Sequence, residues 1–374
     1  MHVDAFLHHL LTLPDYSQQI VHNERIARCS ASIGKLDRPL HSALQARLDA
    51  LNIAFLYSHQ VGAVNAVRSG KNVMVATASA SGKTLCYNLP VLETLLEDPT
   101  SRALYLFPTK ALAQDQMRTL RELASPDLVS LADCVTFDGD TPRLERAGIK
   151  RQAKIVLTNP DMLHVGILPN HKSWSRLLRN LKYVVIDEAH IYRGIFGSHV
   201  ANVLRRLRRL CASYGSNPRF ICSSATIANP KEHAQNLVSL PFEMVSDDGS
   251  PHGGKSFVFW NPPLIDETGT ARRSSNSEAT FLFAELIRSR IRCLVFTRTR
   301  RLTELVYLYT RDQLGDELGD LIKPYRAGYL PEDRRQIERE LFTGQLLGVV
   351  ATNALELGID IGDLEATVLV GYPG

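Results

Sequence analysis

Apolar residues along this chain gather into short runs, separated by longer stretches in which they recur at helical spacing. The short runs lie at 72–76 (Asn72-Val73-Met74-Val75-Ala76), 103–107 (Ala-Leu-Tyr-Leu-Phe), 155–158 (Ile-Val-Leu-Thr), 183–186 (Tyr-Val-Val-Ile) and 220–223 (Phe-Ile-Cys-Ser). Runs of this length and continuous apolarity read as strands buried on both faces, as in parallel sheets. With helix-like stretches between them, residues 51–245 predict βαβ units and a sheet covered by helices on both sides. The alternation resumes in 277–374: helix 278–290, strand 293–297, helices 300–314 and 332–342, strands 348–352 and 366–371. The expected fold class is therefore α/β, with two tandem units of mostly parallel sheet, the second incomplete. The chain stops at Gly374 directly after a strand, which implies a fragment of a longer protein.

Two further segments frame these units. Residues 1–50 read as a helical extension, with one helix from Ile20 to Cys29 and another from Leu40 to Leu51, whose Leu44, Leu48 and Leu51 share a face. Residues 246–276, rich in Gly, Pro, Ser and charge, read as a linker carrying one short strand, Ser256 to Trp260.

Composition narrows the class. At 374 residues, 44% apolar and 22% charged, the chain has the make-up of an ordinary globular protein. No run approaches a membrane span, and Met1-His2-Val3-Asp4 lacks a secretory pattern. The six cysteines, Cys29, Cys86, Cys134, Cys211, Cys222 and Cys293, are scattered singly and read as reduced core residues rather than a zinc or disulfide framework. A cytoplasmic location follows, nucleoid-associated in a bacterium or nuclear in a eukaryote. The net charge of +4 suits a nucleic-acid partner without by itself predicting one.

The chemistry concentrates at the ends of two predicted strands. After 72–76 comes Thr77-Ala78-Ser79-Ala80-Ser81-Gly82-Lys83-Thr84, a turn into a helix whose backbone N–H groups can cradle a β-phosphate. Lys83 would reach the β- and γ-phosphates, and the Thr84 hydroxyl would hold magnesium. The strict phosphate-loop template has glycine at the position of Thr77, so the match is Ser-Gly-Lys-Thr in the right context. The alternative, a surface turn capping a helix, leaves the second cluster unexplained. That cluster is Asp187-Glu188-Ala189-His190, following the strand 183–186. Acidic residues also favour helix N-termini. Hydrolysis, however, needs one carboxylate near the metal and one near the attacking water. Asp187 is assigned to magnesium through water, and Glu188 to the base that orients and deprotonates the nucleophile.

The flanking motifs raise a resemblance. Phe107-Pro108-Thr109-Lys110-Ala111-Leu112, Thr158-Asn159-Pro160-Asp161-Met162 and Ser224-Ala225-Thr226 resemble motifs Ia, Ib and III of superfamily 2 helicases. Val295-Phe296-Thr297-Arg298-Thr299 and the run Ala351 to Asp360 resemble motifs IV and V. Their order is that of two tandem RecA-like domains in a DExH (DEAH-box) helicase core over roughly residues 55 to 374. Longer stretches, Leu56-Tyr57-Ser58-His59-Gln60, Ser79 to Pro90 and Ile191 to Asn202, are similar to the YprA-type helicases, the mitomycin-repair family related to fungal RecQ-like enzymes.

By that resemblance the activity is ATP-dependent, 3′-to-5′ movement on single-stranded or partly duplex DNA in repair, with ATP and Mg2+ as cofactors. Gln60 would read adenine, and Asp360 would approach the nucleotide from the second domain. Pro108, Thr109, Lys110, Gly139, Thr158 and Pro160 would line a strand-binding face on the first domain, and Thr297, Arg298 and Thr352 on the second. Their hydroxyls, amides and cations suit sugar–phosphate contacts. Taken singly, each also reads as a capping Thr or a turn Pro. His190, Ser224 and Thr226 would couple the nucleotide site to that face.

Two departures from the family follow. Ala80 sits where many helicases have glycine. The family's transition-state arginines and its cysteine-rich zinc module come after the equivalent of Gly371-Tyr372-Pro373-Gly374, so the expectation is a chain that binds ATP and hydrolyses it poorly. An RNA-dependent ATPase of the DEAD-box type and a nucleotide-gated nucleic-acid clamp stay open as alternatives, because no motif here encodes a 2′-OH contact. Arg205, Arg206, Arg208 and Arg209 read as the solvated face of an amphipathic helix before they read as a nucleic-acid patch. Trp174 and Trp260 read as packing anchors before they read as base-stacking platforms.

Overall fold

The computed structural model of the chain describes residues 3–128, 133–265, 269, 271–352, 355 and 364–371. It divides into two units, one of Cys29–His252 and one that joins Met1–Arg28 to Gly253–Gly374.

We number the strands of the two parallel sheets along the chain. The first unit holds β1 (Val73–Ala76), β2 (Arg102–Leu106), β3 (Cys134–Thr136), β4 (Ile155–Thr158), β5 (Leu181–Ile186), β6 (Arg219–Ser224) and β7 (Glu243–Val245). These form one seven-stranded sheet in the order β7-β1-β6-β5-β2-β4-β3, and every neighbouring pair is parallel. β1, β2 and β4 are buried at every position, as the continuous apolar runs require. The strand order reverses beside β1, so the carboxyl ends of β1, β6 and β5 lie next to one another at the place where such sheets bind ligands.

The second unit holds β8 (Cys293–Phe296), β9 (Ile322–Tyr325), β10 (Gly348–Ala351) and β11 (Ala366–Leu369), all parallel in the order β9-β10-β8-β11. Both sheets agree with the α/β reading. Helix Ser42–Ala50 forms as its periodicity predicts, with Leu44 and Leu48 buried. Helix Arg300–Gly319 runs past the expected end at 314, bending at Gly315, whose φ of 72° breaks the helical path.

One expected helix is a strand. Ile20–Ile26 pairs antiparallel with Lys255–Trp260. The segment opens on β-branched Ile20 and Val21, and its hydrogen-bonding partner lies more than two hundred residues away in sequence, beyond the reach of local periodicity. Strands β3, β7 and β9, at 3, 3 and 4 residues, are short polar-flanked runs that gave no sequence signal.

Both tryptophans are packing anchors. Trp174 is fully buried, with its ring edge-on to Phe137 at 4.8 Å. Trp260 lies against Tyr16 and Phe281 and donates its Nε1–H to Glu278 at 2.7 Å. The arginine-rich helix, Gly194–Ser213, buries Val200, Leu204, Leu207 and Cys211. Its Arg208 donates to the Val238 and Ser239 carbonyls at the end of helix Pro230–Val238, and Arg205 to Ser239 Oγ. These arginines brace a helix C-terminus, where cations and N–H donors are stabilising.

Candidate functional site

The turn between β1 and helix Lys83–Glu97 is held from several sides. Gly82, at the helix N-cap, has φ 78°, and a Cβ there would come within 2.7 Å of Gln60 Nε2. Only glycine serves at that point. Ala80 also adopts a positive φ of 59°, so the alanine found where a glycine is expected occupies a left-handed conformation. Thr77 Oγ1 and Ser81 Oγ share a buried hydrogen bond of 2.7 Å. Lys83 folds back onto the turn, its Nζ donating to the Thr77 and Ala78 carbonyls at 3.1 and 2.9 Å.

Gln60 braces this turn from below. Its Oε1 accepts from Tyr57 N at 2.9 Å, capping helix Ser58–Arg68, and its Nε2 donates to the Gly82 carbonyl at 3.0 Å. The side chain is 2% exposed. One N–H and one lone pair of the amide are used in these bonds, leaving one of each.

The acidic cluster forms where β5 ends. Asp187 Oδ1 accepts from Ser223 Oγ and from Glu188 N at 2.9 Å, and Oδ2 accepts from Tyr87 Oη at 3.2 Å. Tyr87 also meets Gln116, which in turn meets Thr84. Glu188 has φ 50°, a strained setting of the kind that gathers at functional sites. Burial, helped by the neighbouring Asp187 charge and opposed by Lys83, pushes its carboxyl up to about 7. His190 Nδ1 stands 3.4 Å from Glu188 Oε2 and 3.4 Å from Ser224 Oγ. Burial, with the charges of Lys83 and Arg193, holds the imidazole below its ordinary range. His190 therefore bridges the carboxylate at the end of β5 and the hydroxyl at the end of β6, while Thr226 lies exposed just beyond.

Tyr87, Gln116 and Ser223 were missed by sequence reasoning. Tyr87 carried a weak signal, standing four residues after Lys83 and three after Thr84 on the same helical face. Ser223 sits beside the serine that motif matching selected. Gln116 gave no signal.

The remaining candidates of this unit lie on the other half of the same sheet edge. Pro108, Thr109 and Lys110 follow β2, Gly139 follows β3, and Thr158 and Pro160 end and follow β4. Lys110 Nζ pairs with Asp140 Oδ2 at 2.8 Å beside Gly139, and that bond raises the lysine pKa. The hydroxyls are committed to backbone: Thr109 Oγ1 accepts from Leu112 N at 3.3 Å, and the buried Thr158 Oγ1 donates to the Phe137 carbonyl at 2.6 Å. Pro160 is buried at the start of a short helix capped by Asn159. The local readings of these residues as caps and turns therefore hold alongside their place on the edge.

In the second unit Thr297 follows β8 and Thr352 follows β10. These strands are neighbours, and Thr297 N donates to the Ala351 carbonyl at 2.8 Å. The Thr297 hydroxyl is shared with Thr303 at 2.8 Å. Arg298 lies against Gly371, at 3.3 Å from the position of a Cβ there. Asp360 and most of the run resembling motif V fall outside the described residues. Among the described residues no group of three or more His, Cys, Asp or Glu could hold a metal by itself, and no helix is long and apolar enough to cross a membrane.

Comparison with known proteins gives a consistent family. Residues 57–233 match the DEAD/DEAH box helicase family. The ATP-dependent helicase YprA of Bacillus subtilis is 47% identical over 359 residues, covering 96% of this chain and 48% of that protein. The ATP-dependent helicase hrq1 of Schizosaccharomyces pombe is 43% identical over 384 residues, covering 99% of this chain and 36% of that protein. The crystal structure of the DUF1998 helicase MrfA bound to DNA and AMPPNP matches with a TM-score of 0.92 at 45% identity, over 100% of this chain and 52% of that one. This chain thus spans about half the length, or less, of these relatives. The phosphate loop and the acidic cluster lie in a DEAD/DEAH box helicase domain, and the chain is a homologue of the YprA- and Hrq1-type ATP-dependent helicases.

Proposed function

We propose that this chain is the motor core of an ATP-dependent DNA helicase or translocase that acts in DNA repair and moves 3′ to 5′ along a single strand. One observation carries the reading. The carboxyl ends of β1, β6 and β5 bring Lys83, Ser224 with His190, and Asp187 with Glu188 side by side, and the same sheet edge continues into the ends of β2, β4 and β3. Nucleotide chemistry on one half can thereby act on a strand held along the other. DNA is preferred because the similar MrfA structure holds DNA. The polarity and the repair role rest on the family resemblance alone.

In this reading ATP sits on the turn 77–84. Lys83 leaves the Thr77 and Ala78 carbonyls for the β- and γ-phosphates, and the Thr84 hydroxyl and Asp187, through water, would hold Mg2+. The donor set suits that ion, which takes one or two protein oxygens and completes its shell with water and phosphate. Bound there, Mg2+ would neutralise charge on the transferring phosphoryl group. Ser223, Tyr87 and the Glu188 N–H fix Asp187 in place. Glu188 orients the attacking water and accepts its proton, a role served by a carboxyl poised near neutrality. Gln60 braces the loop and offers its remaining N–H and lone pair to the adenine edge. By the family resemblance Asp360 is assigned to the nucleotide, and His190, Ser224 and Thr226 relay the state of that site to Pro108, Thr109, Lys110, Gly139, Thr158 and Pro160. Thr297, Arg298 and Thr352 grip the strand from the second unit. A cytoplasmic or nuclear location goes with these roles.

The test is steady-state ATP hydrolysis with single-stranded DNA, matched RNA or no nucleic acid. DNA should stimulate more than RNA. Lys83→Ala should abolish nucleotide binding, and Glu188→Gln should retain binding and remove hydrolysis. Hydrolysis by Glu188→Gln at the wild-type rate would refute the catalytic assignment, and binding of ATP without response to either nucleic acid would favour the clamp.

A further inference from the structure

Beside the phosphate loop lies a segment that none of the helicase motifs includes, Asp247-Asp248-Gly249-Ser250. Asp248 Oδ2 accepts the Ala78 N–H at 2.9 Å, inside the loop itself. Its other oxygen, Oδ1, accepts from Ser250 N at 2.9 Å and Ser250 Oγ at 2.7 Å. Burial works against the charge, yet these donors together hold the carboxyl below its ordinary value. Behind it His59 is fully buried and its Nδ1 accepts from Gly249 N at 3.2 Å. Gly249 is clamped. A Cβ there would collide with Ser58 Oγ and stand 2.7 Å from the Ser32 carbonyl and 2.8 Å from Ser58 N. Ser32 N donates to the Gly249 carbonyl at 2.9 Å, and Ser58 N to the Ser32 carbonyl at 2.8 Å.

The arrangement is asymmetric about Ala78. Among the described residues its carbonyl is held by Lys83 alone, which must leave to reach a phosphate, whereas its N–H is held by Asp248 on a segment tied through Gly249 to Ser32. A carboxylate near a triphosphate-binding loop carries an electrostatic cost, which a purely structural acceptor such as a carbonyl would avoid. The gain is a charge-assisted bond that holds the loop open while Lys83 moves.

We propose that Asp248 is a positioning residue that couples the state of the phosphate loop to segment 247–250, an inference that rests on the nucleotide reading of that loop. Segment 247–250 lies just before His252, the last residue of its unit, so a displacement of Ala78 is passed to the chain where it leaves the nucleotide-binding unit.

The experiment uses the full chain with a fluorescent ATP analogue and magnesium, and reads both affinity and amide hydrogen exchange over 245–252. In the wild type, nucleotide should change protection at Gly249 and Ser250. Asp248→Ala should raise the dissociation constant about tenfold, within the ordinary range of coupling between sites, and erase the nucleotide-dependent change in protection. Asp248→Asn, which keeps an oxygen for the Ala78 N–H but not the charge, should recover the exchange response and only part of the affinity. Should Asp248→Ala fail to fold, Ser250→Ala removes one donor to the same carboxylate and should weaken binding by about two- to threefold. In Asp248→Ala, affinity within twofold of wild type, or lost affinity with the exchange response intact, overturns the coupling. Lys83→Ala separates the two levels. If it binds like wild type, the nucleotide reading itself fails; if it abolishes binding while Asp248→Ala changes nothing, only the coupling fails.

Discussion

Replacing Gln60 with glutamate changes one atom and tests how the phosphate loop is held. The Oε1 that caps Tyr57 N at 2.9 Å is retained, but the Nε2–H that reaches the Gly82 carbonyl at 3.0 Å becomes an oxygen facing an oxygen. Gln60 is 2% exposed, so water does not readily replace the lost donor. The lost bond is worth about 1 kcal/mol net; the Gly82 carbonyl keeps the Leu85 N–H at 3.2 Å, but the buried carboxylate oxygen now facing it has no donor, which costs about 1–3 kcal/mol more. If half of the resulting 2–4 kcal/mol falls on the loop shape that nucleotide needs, affinity drops roughly 5- to 30-fold. Fluorescence titration of an ATP analogue and a GTP analogue, each with magnesium, measures it. Both should weaken, because the loop loses its brace and the glutamate lacks the N–H that the N7 acceptor of either purine would take. Gln60→Ala should in addition lose the helix cap, seen as faster amide exchange at Tyr57. ATP-analogue binding by Gln60→Glu within twofold of wild type would refute the bracing role.

Three further outcomes follow from other contacts. Glu93, 4% exposed, takes a bidentate pair from Arg68 at 2.8 and 2.6 Å; Glu93→Ala leaves that guanidinium buried beside carbonyls alone and should cost about 3–5 kcal/mol, read as a fall in melting temperature of roughly 6–20 °C. Ala80→Gly removes a left-handed penalty of about 1–2 kcal/mol but loosens the unfolded chain by about 0.5–1 kcal/mol, so melting should be unchanged or slightly raised, and a clear loss would show that the Ala80 methyl makes a contact worth more than its strain. The Glu188 carboxyl is raised in the folded chain from 4.5 to about 7, so its proton stabilises the fold. That contribution is complete below pH about 4.5 and is lost as the pH climbs to about 7, whereas Glu188→Gln does not titrate. Without nucleotide, wild type should lose stability relative to Glu188→Gln across that window, and a difference flat with pH would contradict the shift.

The local pattern of the chain already marks the parallel-sheet strands with continuous apolar runs, because a strand buried on both faces announces itself in four or five neighbouring residues. It also marks Lys83, Thr84, Asp187 and Glu188, whose chemistry sits in short contiguous clusters at the ends of those runs. The three-dimensional packing of the strands places β6 between β1 and β5, so that Ser223 and Ser224 fall between the phosphate loop and the acidic pair. It alone turned Ile20–Ile26 into a strand, since the partner Lys255–Trp260 is remote in sequence. Tyr87 on Asp187, Gln60 under Gly82 and Asp248 on Ala78 are likewise single hydrogen bonds between distant positions. Periodicity reports which face of an element is apolar, and motifs report which chemistry is present. Neither reports which polar atom a folded chain brings within 3 Å of another, because that depends on the order of the strands and the register of their ends.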